Sequence, residues 1–160
     1  MEKKIYRGYT IIEILVAVSI TGIIFSFGFA SFRDFSRRQI LTSTIRSIRG
    51  DLRLTLEYAL IGKKPDDARC LGTNVLDTYG FFVNSANEYI VRAYCSGGSV
   101  DIKAVAIPQD LEISTPAPNP ITFKVLGQGT SLSADATIVI SQLSTGNTAS
   151  VVVTQGGEIK

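Results

Sequence analysis

One carboxylate stands alone in an apolar run: over residues 9–32, YTIIEILVAVSITGIIFSFGFASF, Glu13 is the only charged side chain. An acidic group at the centre of a membrane-spanning helix costs roughly 2.5 to 3.5 kcal/mol, so it signals function by default. Nearer a helix start it snorkels to the interface at lower cost. Two cysteines, Cys70 and Cys95, lack the C-x-x-C spacing of zinc and redox sites. One disulfide in an oxidising compartment and two separate buried thiols both stay open. Arg46, Arg49 and Arg53 share a helical face by their spacing. Such a stripe is ordinarily a solvated face, with phosphates or an acidic neighbouring head as its functional alternatives.

The remaining constellations are weaker. Asp66, Asp67 and Asp77 lack the regular alternation of oxygen ligands that a calcium loop needs, so they read as a polar turn. Gly127-Gln128-Gly129 lies between apparent strands without the helix a phosphate loop requires, and reads as a turn. The sequence has no His, which removes imidazole acids, bases and ligands and with them most metal-hydrolase and triad mechanisms. No catalytic residue, metal ligand or cofactor is assigned.

These residues need elements to carry them. A helix over 9–32 is about 36 Å long at ~1.5 Å per residue, against a hydrocarbon core of ~30 Å. From Arg33 onward Leu41, Ile45, Ile48, Leu52, Leu56 and Ala59 recur every three or four residues, the period of an amphipathic helix. Gly62, Lys63, Lys64 and Pro65 signal its stop, so one helix of about 50 residues is expected. Beyond it, short β-branched and aromatic runs at 79–83, 88–95, 100–107, 121–126, 136–142 and 150–154 read as strands joined by turn residues. The expected fold class is α+β, a long helix packed on an antiparallel sheet.

Charge divides along the chain. Residues 33–64 hold eight basic and three acidic side chains, whereas 65–160 hold five basic and nine acidic, within a total of +2. The acidic remainder argues against broad DNA affinity, leaving nucleic acid as a partner that is open but not favoured. Basic residues flank the apolar run on both sides, Lys3, Lys4 and Arg7 before it and Arg33, Arg37 and Arg38 after it, so the positive-inside rule does not set its orientation.

A short basic leader, a glycine at a junction, an aromatic residue next and one carboxylate four positions on coincide in Arg7, Gly8, Tyr9, Thr10, Ile11, Ile12, Glu13, Ile14, Leu15 and Val16. This resembles the processing site of type IV pilins and type II secretion pseudopilins. The resemblance implies cleavage by a prepilin peptidase between Gly8 and Tyr9, N-methylation of the Tyr9 amine, and assembly through Glu13, paired with the amine of a neighbour. The order YGFFVNSANEYIVRAYC, PITFKVLGQGT, TIVIS and SVVVTQGGEIK is similar to minor pseudopilins and minor pilins. Ala30 stands where the common major-pilin helix often carries proline, which points to a minor subunit.

The implied organisation is a leader at 1–8, a transmembrane and filament-core helix at 9–32, its amphipathic continuation at 33–64 and a β-rich head at 65–160. The implied place is the cytoplasmic membrane, crossed once with the head outside, and then an extracytoplasmic filament. The implied partners are the peptidase, other pilin-like subunits and an assembly platform in the cytoplasmic membrane. Two alternatives accompany it: a tip subunit that binds DNA or exported protein, and a soluble domain released by an ordinary signal peptidase after Gly28-Phe29-Ala30.

Overall fold

The computed structural model describes residues 9–160, and the side chains of all of these except 27–31. Helix α1 runs Ile11–Ile61. Strands follow at Leu76–Ser85 (β1), Glu88–Cys95 (β2), Gly98–Ala106 (β3), Leu111–Ile113 (β4), Ile121–Lys124 (β5), Ala136–Gln142 (β6) and Thr148–Val153 (β7). The α+β class with a long N-terminal helix on an antiparallel head is as expected. The chain divides into two units, one ending at Gln39 and one starting at Ile40.

In the first unit the helix starts where its sequence can cap it. Thr10 accepts from the Glu13 amide through both its carbonyl, at 3.1 Å, and its hydroxyl, at 3.3 Å. Thr10 is therefore an N-cap, and Glu13 stands at the third helical position, where a carboxylate complements the positive helix end. Farther along, the hydroxyls of Ser19, Thr21 and Ser26 donate to the carbonyls of Leu15, Ala17 and Gly22 at 2.7 to 2.8 Å. These three hydroxyls are thereby satisfied within their own helix. Among the described residues no helix is long and apolar enough to cross a membrane. The apolar stretch with described side chains, 11–26, is about 24 Å long at ~1.5 Å per residue, short of ~30 Å.

In the second unit the helix buries Leu41, Ile48, Leu52, Thr55 and Ala59 on one face. Its end is a Schellman motif, with the Gly62 amide donating to Ala59 and the Lys63 amide to Tyr58. Gly62 has φ +61, which glycine adopts without a Cβ penalty. Lys63 and Lys64 follow the helix end, where the stop signal placed them. Lys63 lies over the Tyr58 ring, 4.5 Å from its centroid, and Lys64 donates to the Asn74 carbonyl at 2.7 Å.

The head holds two antiparallel sheets rather than one, ordered β3-β2-β1-β5 and β4-β6-β7. In the larger sheet the cross-strand pairs Tyr79–Ala93, Phe81–Val91 and Val83–Tyr89 extend to Ile121 and Phe123 of β5. All eight are buried, and Phe81 stacks on Tyr89 with centroids 4.7 Å apart. In the smaller sheet Ile138, Ile140, Val151, Val153, Leu111 and Ile113 form the apolar layer. Strand β4 was not among the expected strands, being three residues long. The expected strand at 121–126 stops at Lys124, because Leu126 and Gly127 turn the chain at φ +55 and +76.

Candidate functional site

The proposed processing junction lies at the edge of the description, since Gly8 falls outside the described residues. Tyr9 is exposed and precedes the cap. From there Ile11, Ile12, Ile14, Leu15, Val16, Val18, Ile20, Ile23 and Ile24 all expose more than half of their surface. A soluble domain rarely exposes contiguous apolar surface on that scale, so this surface requires lipid or another protein against it. Glu13 sits one turn into it with no ion pair to any described residue.

The two cysteines resolve in favour of the disulfide. Cys70 and Cys95 are bonded, with Cα atoms 5.3 Å apart and a sequence separation of 25. The bridge ties the segment after the helix to the end of β2, and closing a loop of that length contributes roughly 3.5 kcal/mol in the chain-entropy account. Polar contacts complete this strap. Arg69 binds Asp67 at 2.9 Å through two nitrogens and donates to the Ser99 carbonyl at 2.5 Å. Val75 and Ser96 exchange two further hydrogen bonds. The Tyr79 hydroxyl donates to the Lys63 carbonyl, and burial, with Tyr58 nearby, pushes the Tyr79 phenol up to about 12. The Arg69 hydrogen bonds hold the Asp67 carboxyl down at about 2.

Asp67 is therefore an ion-pair partner within the strap, and Asp66 and Asp77 are exposed. No group of metal-ligating side chains gathers among the described residues. Gly127 and Gly129 both have positive φ and form a turn between β5 and the bridge of Phe123 with Thr130.

The arginine stripe is uneven. Arg46 and Arg53 are exposed, whereas Arg49 is half-buried, with its Nε buried and no acceptor in reach. Between them Gly50 leaves the helix surface bare, since a Cβ there would meet nothing within 4 Å.

Sequence reasoning missed the principal polar cluster of the head. Asp51, only 6% exposed, accepts from the Tyr89 hydroxyl at 2.7 Å and from Lys103 Nζ at 2.7 and 2.9 Å. Burial, reinforced by the hydrogen bond to Asp51, raises the Tyr89 phenol well above its ordinary value. The signal was present in the sequence, because Asp51 adjoins Leu52 and follows Ile48 by three, on the apolar face. A charge there requires partners from the sheet. The cluster fixes helix to sheet.

Comparison with known proteins accords with this geometry. Residues 3–29 match the family model described as the prokaryotic N-terminal methylation motif. Among solved structures, the crystal structure of the type IV minor pilin FimU of Pseudomonas aeruginosa (strain PAO1) is similar, with a TM-score of 0.57 and 13% sequence identity. The likeness covers 79% of this chain and 90% of that one, and at such identity it speaks for the fold. Comparison with curated proteins finds no match. The chain thus carries an N-terminal methylation motif and a fold similar to that of a type IV minor pilin.

Proposed function

We propose that this chain is a structural subunit, of the minor kind, of a type IV pilus or a type II secretion pseudopilus. A prepilin peptidase removes residues 1–8 between Gly8 and Tyr9, and the Tyr9 amine is methylated. The helix over 9–32 is stored in the cytoplasmic membrane with the head outside, then moves into the core of a filament built with other pilin-like subunits on an assembly platform. The observation that carries this reading is the exposed apolar helix from Ile11 to Ile24, which lies within the methylation motif and carries Glu13 as its only charge. Its hydroxyls are satisfied internally, so neither lipid nor a bundle of equivalent helices leaves a backbone-bonded group unpaired.

Glu13 has two roles open to it, complementing its own helix end and pairing with the Tyr9 amine of a neighbour. Only the second acts in assembly. Glu13→Val makes the helix more apolar, so membrane insertion and cleavage after Gly8 persist, while the yield of sheared filament falls. Wild-type filament yield from Glu13→Val refutes the pairing role.

A further inference from the structure

We infer that Phe32, Arg33, Phe35, Ser36, Arg37 and Arg38 form a collar on the helix that binds the phosphate headgroups of acidic phospholipids. The inference rests on the reading of 9–32 as a helix stored in the membrane, and names the lipid class taken at its far end. Position along the helix selects the headgroup layer. At ~1.5 Å per residue Arg33 to Arg38 lie about 36 to 44 Å from Tyr9, and a bilayer with its headgroups is about 40 to 45 Å thick. With Tyr9 at one face of the bilayer, the collar stands among the phosphates of the other.

The chemistry of the collar fits that layer. Over residues 32–39 three arginines stand against Asp34 as the one acid, for a local charge of +2. Arg33 is exposed and belongs to no ion pair among the described residues. The spacing of Arg33, Ser36 and Arg37 by three and four places them on one helix face. With Phe32 they line an open groove of about 280 Å³. Pockets for drug-sized ligands run from roughly 300 to 1,000 Å³, so a groove of this size suits a single headgroup. A guanidinium fork matches two phosphate oxygens, and the Ser36 hydroxyl supplies a further donor. Phe32 and Phe35, 66% and 60% exposed, offer apolar surface to the acyl side of the boundary, while the arginine stems reach past it. A net positive collar distinguishes an acidic lipid from a zwitterionic one that carries the same phosphate. Lipid held there fixes the depth of the stored helix and is given up when the helix leaves the membrane.

The test uses the chain as recovered from cell membranes, reconstituted in phosphatidylcholine vesicles with trace spin-labelled phosphatidylglycerol or phosphatidylcholine. Electron paramagnetic resonance reads how much of each label the protein immobilises. A basic residue near an anionic lipid surface favours binding roughly fivefold, so phosphatidylglycerol is expected to be preferred about fivefold at low salt. R33Q/R37Q/R38Q is expected to bring the ratio near one and R33Q alone to lower it by about half. R46Q/R53Q, on the helix of the second unit, is expected to leave it unchanged. Circular dichroism and an intact disulfide show that each variant is folded. Equal immobilisation of the two labels by the wild type, or a preference kept by the triple variant, overturns the proposal. Loss of the preference in R46Q/R53Q also overturns it, and assigns the lipid contact to the head. Its loss to millimolar inorganic phosphate but not to chloride of equal ionic strength overturns it too, and assigns the groove to a free anion. Failure to enter phosphatidylcholine vesicles overturns the membrane reading together with the proposal, whereas entry without lipid preference overturns the proposal alone.

Discussion

Removing the buried carboxylate of Asp51 tests how the helix is held to its sheet. In Asp51→Ala the Tyr89 hydroxyl, on a residue only 1% exposed, loses the carboxylate that accepts its proton and keeps only the Ser47 hydroxyl as a partner. Losing a hydrogen bond to a charged acceptor costs about 1 to 3 kcal/mol. Lys103 also loses its partner, but its side chain is 45% exposed, so water solvates the freed ammonium and that loss adds about 0 to 1 kcal/mol. The expected destabilisation is about 1 to 4 kcal/mol, a large fraction of a typical domain stability of about 5 to 15 kcal/mol. Tyr89→Phe keeps the ring stack with Phe81 and leaves Asp51 with Lys103, so it is expected to cost less, about 0.5 to 1.5 kcal/mol. Urea unfolding of the full chain in detergent, disulfide intact, measures both singles and the double. The double is expected to be less destabilised than the sum of the singles, since both delete the same contact. Additive effects, or an Asp51→Ala cost below about 0.5 kcal/mol, refute the reasoning.

Two further outcomes follow from the strap and its neighbourhood. In Gly97→Ala the new Cβ meets the Arg69 carbonyl oxygen and the Asn74 amide nitrogen at 2.5 Å, and the first of these is backbone; a stability loss of about 1 to 3 kcal/mol is expected in a denaturant series. Asp67 titrates near pH 2 because Arg69 favours its charged form. Its depressed value means that the pair's contribution is complete above the ordinary carboxylate range and lost as pH falls from about 4 through about 2, which carbon-detected NMR of the Asp67 carboxyl follows; a midpoint near the ordinary 3.8 contradicts it.

Much of the architecture was legible because it rests on local rules. The apolar period over Leu41–Ala59 gave the buried face, and Gly62 marked the helix end within a residue. The β-branched runs at 88–95 and 136–142 coincide with β2 and β6. What stayed hidden depends on contacts distant in sequence. β4 is too short for alternation to declare itself, and it exists because Leu111–Ile113 pairs with Ile140–Gln142. The division into two sheets has no local signature either, as it rests on which strands pair. Val125 and Leu126 have strand-like types, yet the turn at Leu126 overrides propensity. The cysteine pairing was open from spacing alone and is settled by the approach of the strap to β2. The arginines at 46, 49 and 53 were equivalent by periodicity, whereas the packing half-buries Arg49. For the processing junction the relation is reversed, since its motif is carried by the sequence and Gly8 lies outside the described residues.

The central claim is that this chain is a processed filament subunit, and the N-terminus of the mature protein tests it most directly. Intact mass with N-terminal fragmentation, on protein recovered from the membrane of cells making the full chain, is expected to give a chain from Tyr9 to Lys160 with one methyl group on the Tyr9 amine and the Cys70–Cys95 bridge formed. A chain beginning at Ser31 identifies instead a domain released by an ordinary signal peptidase. A pool that keeps Met1 identifies a plain membrane anchor, and either result contradicts the account.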